Sequence, residues 1–297
     1  MDHKRLFAWT LPLFFFARLC GQTLPADAHT LLWKISGKGL TQDSYIFINT
    51  TNTCEKKIVL DAAVAMTLSK VKAIVFEAAA TNRAREKDFL AASLAIGDDY
   101  IAKQMLSPFV YMNLKAKAQE IGLSDAWLNQ HNLFFVKVKL ETACISCDLS
   151  GGVVRIEDVV RDTARKLGIP VTELLNIDEF FDMYRHYPRA FWDKSITYLL
   201  DHPERVTDAI NKKASAYKAG DFTALKSALA HDDYYGIRYK FPDQESSRSV
   251  LLSSRIEKQI SQTPALIVLD VSEIANDPTS VFKTLTSDGY TLTPVME

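Results

Sequence analysis

The feature that most constrains the fold is VKAIVF at residues 71–76, which is apolar and rich in β-branched side chains from Ala73 onward. A strand with one wet face alternates apolar and polar residues. A run without that alternation must be covered on both faces, as strands are when helices pack on either side of a parallel sheet. Ala265–Asp270 (ALIVLD) has the same character, and Leu133–Val138 (LFFVKV) reads as a further strand of this kind. Asp43–Asn49 alternates toward apolar. Tyr290–Val295 (YTLTPV) is expected as the last strand, entered through the turn Asp288-Gly289.

Helical patterns separate these runs. Ile156, Val159, Val160, Thr163, Ala164 and Leu167 fall on one face of a helix that Gly168 ends and Pro170 prevents from resuming. Val171–Leu174 is the next expected strand, followed by an acidic helix start at Asp178-Glu179. Val206, Ala209, Ile210 and Tyr217 form another apolar stripe. Gly220-Asp221 stops that helix and caps the next, Phe222–Leu229. Strands alternating with helices predict an α/β fold with a parallel-rich central sheet flanked by helices, and a helical insertion over Phe180–Ala230. There is no internal repeat and no low-complexity linker, so residues 29–297 read as a single domain.

The N-terminus reads as a separate element. His3, Lys4 and Arg5 precede an apolar stretch, Leu6–Ala17, which is shorter than the ~20 residues a membrane span needs. Small residues follow at Gly21 and at Ala26-Asp27-Ala28. Residues 1–28 are therefore expected to be a signal peptide and short leader, giving an exported protein, periplasmic or extracellular, with no transmembrane span once the signal is removed. Cys20 adds the option of a lipid anchor, although Arg18 and Leu19 stand where a lipidation motif wants small residues. The formal net charge of −1 and the 24% of charged residues offer nothing to steer nucleic acid. The pairs Lys212-Lys213 and Lys56-Lys57 read as solvated faces.

The stretch LLWKISGKGLTQDSYIFINTTNT from Leu31, the later KVKAIVFEAA, and PALIVLDVSEI near the C-terminus resemble the TraB/GumN proteins. These are proposed metal-dependent hydrolases that include the Tiki-type proteases. GIPVTELLNIDEFFDMYRHYP, YKAGDFTAL, Arg248-Ser249 with Leu252 and Ile256 behind it, and DGYTLTPV resemble further family segments in the same order. The resemblance covers roughly Leu31 to Val295. It implies the TraB/GumN type of sheet, EreA/ChaN-like, and a metal that polarises a carbonyl and activates a water.

Two motif histidines are missing. The family's first strand runs into G-T-x-H, where this chain has Ile48, Asn49, Thr50 and Thr51. Its second motif, G-A-G-H-L, is Asp270, Val271, Ser272, Glu273 and Ile274 here. Glu77, just past VKAIVF, matches a retained family glutamate and lies where parallel sheets place their sites. The resemblance thus makes Glu77 the catalytic candidate, with Arg248 holding an anionic group or a site carboxylate. Two outcomes are open. The chain is a pseudoenzyme without a cofactor, binding a peptide or small molecule, or acting as a scaffold. Alternatively, Glu77, Asp270 and Glu273 rebuild an oxygen site for Mn²⁺, Mg²⁺ or Ca²⁺.

Cys144-Ile145-Ser146-Cys147 reads as a structural disulfide, either within the motif or from one of its cysteines to Cys54; zinc and redox readings lack further ligands or a strand–helix junction. The histidines make no cluster, and His131 is isolated. There is no glycine-rich phosphate loop and no G-x-S-x-G elbow. Oligomeric state is not encoded in any recognisable pattern.

Overall fold

A computed structural model describes residues 29–50, 58–78, 101–145, 155–274 and 279–296. Six strands form one sheet: β1 Leu32–Gly37, β2 Ser44–Asn49, β3 Ala73–Ala78, β4 Val171–Leu175, β5 Ala265–Asp270 and β6 Tyr290–Pro294, in the order β4-β3-β5-β2-β1-β6. β2, β5, β3 and β4 are mutually parallel, whereas β1 is antiparallel to both β2 and β6. The sheet is therefore mixed and mostly parallel. The β1–β2 hairpin starts at Gly37, where φ is +87° and an added Cβ would stand 3.2 Å from the Gly289 carbonyl oxygen. Only glycine meets both conditions without strain.

The strands are apolar on both faces, as VKAIVF demanded. Leu32, Phe47, Ile74, Phe76 and Leu266 point to one side, against Val64 and Leu68 of helix α1 (Ala62–Leu68) and Val160 of another helix, Ile156–Leu167. Trp33, Ile48, Val75, Ile267 and Leu269 point to the other, against helices Phe222–Ala230, Pro242–Gln262 and Val281–Ser287. Counted along the described residues, the helices are α1, α2 Ala102–Met105, α3 Pro108–Glu120, α4 Asp125–Gln130, α5 Leu133–Ala143, α6 Ile156–Leu167, α7 Ile177–Arg185, α8 Arg189–Asp201, α9 Pro203–Lys218, α10 Phe222–Ala230, α11 Pro242–Gln262 and α12 Val281–Ser287. A third apolar cluster contains no strand residue and draws on α2 to α5, α8, α9 and the 3-10 segment Tyr235–Lys240.

Local signals explain most boundaries. Gly168 takes φ +69° after α6 and returns its N–H to Ala164 and Arg165. Asn176 and Glu179 cap each other reciprocally at the start of α7, and the Asp221 side chain accepts from the Ala224 N–H at 2.8 Å to start α10.

Three expectations are corrected. LFFVKV is not a strand but the start of α5. Leu133, Val136 and Leu140 are buried at helical spacing, the Asn132 side chain accepts from the Phe135 N–H at 2.8 Å, and Lys137 pairs with Glu141 at 2.8 Å. Helical insertion is wider than residues 180–230, since α2 to α5 precede it. The buried face of α6 is rotated from the apolar stripe: Glu157 and Arg161 are buried on it while Leu167 is 55% exposed.

Candidate functional site

The C-terminal ends of β2, β3 and β5 lie side by side, with Asn49 opposite Asp270 in the parallel register. Glu77 is at the end of β3 and is 7% exposed. Its Oε2 accepts the Asp270 backbone N–H at 3.2 Å, which ties β3 to the end of β5. Its Oε1 accepts from Arg248 Nη2 at 2.7 Å. Arg248 reaches it from α11, on the same buried stripe as Ser249, Leu252 and Ile256. The site thus brings Glu77, Arg248, Asp270 and Glu273 together.

Glu273 occupies the single-turn 3-10 helix Val271–Glu273 directly after β5 and is 2% exposed. Its Oε2 accepts from Arg248 Nε at 2.7 Å. Its Oε1 accepts from Arg238 Nη2 at 3.0 Å and from the Ser272 hydroxyl at 3.1 Å. Arg238, on the 3-10 segment Tyr235–Lys240, also donates from Nε to Glu245 Oε2 at 2.6 Å. Glu245 is three residues before Arg248 on α11, and its other oxygen accepts the Tyr187 hydroxyl. The Arg248 guanidinium lies 5.2 Å above the Tyr184 ring. The result is a buried chain Glu77–Arg248–Glu273–Arg238–Glu245–Tyr187.

Three carboxylates face two guanidiniums, so the cluster is one positive charge short. That shortage falls on Glu77, whose carboxyl is pushed up to about 7, first by burial and then by the Glu273 charge, with Arg248 opposing. Glu273 goes the other way: burial works against its charged form, but Arg248 and Arg238 outweigh it and hold the carboxyl down to about 2.

Behind Asp270, the Asn49 amide donates to Glu157 on α6, a carboxyl that burial raises above its ordinary range. Asp270 itself is half-buried, and its Oδ1 accepts the Ser272 N–H at 2.9 Å.

Other sequence candidates fall elsewhere. Ile48, where the resemblance implies a glycine, is fully buried in the sheet core. Thr51, Cys54, Cys147 and the Cys20 leader lie outside the described residues. Cys144 caps the end of α5 with a free thiol that burial raises. His131 stacks on Trp127 and on Phe135, and bonds the Trp127 carbonyl at 2.8 Å. Arg238, Glu245 and Tyr187 were not foreseen. The i, i+3 spacing of Glu245 and Arg248 was the one signal available for them.

The donor set does not fit a divalent cation. Both oxygens of Glu77 and Glu273 already accept hydrogen bonds, and a cation between them would meet the Arg248 guanidinium. Among the described residues, no group of three or more His, Cys, Asp or Glu side chains is arranged to hold a metal.

Comparison with curated proteins and with solved structures gives no match. A family model does match: that of the TraB/PrgY/gumN family, over residues 31–294, from the first strand to the last. The chain that carries Glu273 and Arg248 in this buried network therefore belongs to the TraB/PrgY/gumN family.

Proposed function

We propose that this chain is an exported binding or scaffold protein in which an internal ion-pair network stands where the family resemblance implies a metal. The observation that carries the reading is Glu273. It replaces a motif histidine, and both of its oxygens are taken by arginines of the same chain. A ligand carboxylate that served a metal would have to keep at least one lone pair free of such cations. The charge that a metal would supply to Glu77 and Glu273 comes here from Arg248, which a metal site in the same place would have to expel.

On this reading the protein retains a peptide or small molecule near the strand ends without turnover. Glu77 and Arg248 then have a structural role, holding the ends of β3 and β5 and helix α11 in register. Metal analysis of the protein purified without added metal tests this. We expect far less than one Zn²⁺, Mn²⁺ or Ca²⁺ per chain; a stoichiometric ion that is lost on Glu273→Ala would instead establish the carboxylate-rebuilt hydrolase.

The export part of the proposal rests on the basic start, the apolar Leu6–Ala17 and the small residues after it. Intact mass of protein from the envelope fraction should lack at least residues 1–19. A mass that retains Met1–Leu19 contradicts export, and a diacylglyceryl mass on Cys20 establishes the lipid anchor.

A further inference from the structure

Only one end of the Asn132 amide is used within the chain. Its Oδ1 caps α5 by accepting the Phe135 N–H at 2.8 Å, which fixes the end that is oxygen. The other end, Nδ2, is buried and has no hydrogen-bond partner among the described residues. The same is true of the indole Nε1 of Trp192 on α8. Asn132 is 5% exposed and Trp192 is 2% exposed. A buried donor without an acceptor is costly to a fold, and indole N–H can only donate.

Both side chains line one small cavity, enclosed chiefly with Phe134 of α5 and with Phe181, Tyr184 and Arg185 of α7. Phe134 lies with its ring centroid 4.1 Å from that of Tyr184 and 6.1 Å from that of Phe181, so the wall between α5 and α7 is aromatic. The cavity opens to solvent on one side, and Arg185 is half-exposed there, 3.4 Å from Asp182. None of the lining residues is acidic. About 10 Å³ is left inside for the centre of a water-sized atom, room for about one oxygen and not for a whole ligand.

We propose that this cavity takes an oxygen of a ligand carboxylate, held by Asn132 Nδ2 and Trp192 Nε1, with Arg185 at the mouth and the ligand's apolar body on Phe134 and Tyr184. The site lies in the helical part of the molecule. It goes beyond the binding role given above and stands whatever the strand ends hold. Two donors and a guanidinium, with no acidic neighbour in the lining, select an acceptor that carries negative charge and reject a cation. Phosphate brings four oxygens and a full hydration shell to a space for one oxygen between aromatic rings. A carboxylate brings one oxygen inside and keeps the other near Arg185, while its apolar body covers the rings. Two sources share this chemistry, a peptide C-terminus and a free organic acid.

Proton–nitrogen NMR of the whole chain labelled with ¹⁵N-tryptophan reads the site directly, with the Trp192 indole signal assigned through Trp192→Phe. The probes are N-acetyl-phenylalanine, 3-phenylpropionate, 3-phenylpropionamide and inorganic phosphate. Either or both acids should move the Trp192 indole proton downfield, as a donor moves on gaining a charged acceptor, and leave the other indoles in place. The amide should bind on the order of tenfold more weakly than the matching acid, and phosphate should leave the signal unmoved. Tighter binding of N-acetyl-phenylalanine assigns a peptide terminus as the source, and tighter binding of 3-phenylpropionate assigns a free acid.

Asn132→Asp keeps the oxygen that caps α5, since aspartate and asparagine cap equally well, and turns the free donor into an anionic oxygen. It should weaken the acid on the order of tenfold or more. Arg185→Gln alters a half-exposed side chain that the fold can spare, and should weaken the acid roughly threefold. A Trp192 signal that neither acid moves overturns the proposal and leaves the two donors to an ordered water. Equal affinity for acid and amide overturns it as well, as does an affinity that a folded Asn132→Asp protein retains. If Asn132→Asp does not fold, unchanged affinity in Arg185→Gln has the same force.

Discussion

Arg248 binds Glu273 through Nε at 2.7 Å, and the same guanidinium holds Glu77 through Nη2 at 2.7 Å. One side chain from α11 therefore joins the end of β3 to the turn after β5, across 171 and 25 residues of sequence. The carboxylates it joins are buried, so their charges are compensated from within the chain or not at all.

Replacing Arg248 should be severe. Arg248→Met leaves Glu77 with only the Asp270 N–H, and Glu273 with Arg238 and the Ser272 hydroxyl. Breaking one partner out of a buried network costs about 3–5 kcal/mol. Urea unfolding at pH 8, where the carboxylates are ionised in the unfolded chain, should show a loss of that order. A loss under about 1 kcal/mol, the range of exposed pairs, would mean the network is solvated.

Glu77 gives the protein a specific pH dependence. Its carboxyl is raised to about 7 in the folded chain, against 4.5 for the ordinary group. Between these values the native protein keeps a proton that the unfolded chain has released. Its contribution is fully present below pH 4.5 and is lost as pH rises toward 7. Glu77→Gln should remove a fall on the order of 1–3 kcal/mol across that window. Glu273 contributes in the opposite sense at lower pH: held down to about 2, it supports the fold above 4.5 and loses that support as acid approaches 2. Urea midpoints at several pH values separate the two, and an unchanged slope in Glu77→Gln would show that another group titrates.

The excess carboxylate can be removed without touching Glu77. Glu273→Gln leaves two guanidiniums facing Glu77 and Glu245, so the charges balance. The Glu77 carboxyl should then move down from about 7 toward the ordinary carboxylate range, because the Glu273 charge is the second cause of its elevation. Carbon-13 NMR titration of the glutamate carboxyls reads this directly. A Glu77 titration that stays in place would assign the elevation to burial alone.

The sheet was largely legible because its strands are short β-branched runs that can be buried on both faces, and because Gly168 and Asp221 mark helix ends by their own chemistry. LFFVKV was misread because a short apolar run looks alike in a buried strand and a buried helix; the decisive cap, Asn132, lies outside the run. Glu77, Arg248 and Glu273 were brought forward by resemblance to the family, which also offered a site carboxylate as one partner for Arg248, but not the bridge that Arg248 makes between Glu77 and Glu273. Arg238 and Tyr187 were illegible because their partners are distant in sequence and only the fold brings them together. Lys213, which is 5% exposed although Lys212-Lys213 reads as a solvated pair, was visible as a polar break in an apolar stripe. It was passed over because a neighbouring lysine suggested a charged face.

The most direct test of the internal network is a melting experiment on the native chain with EDTA and with Zn²⁺, Mn²⁺ and Ca²⁺ in turn. A metal that binds the folded state at a hundredfold excess over its Kd stabilises by on the order of 3 kcal/mol, a shift of several degrees for a chain of this size. The account predicts the same melting temperature in all four conditions. A rise with Zn²⁺, or a rise with Mn²⁺ or Ca²⁺ that Glu273→Ala abolishes, would show that Glu273 serves a metal and would contradict it.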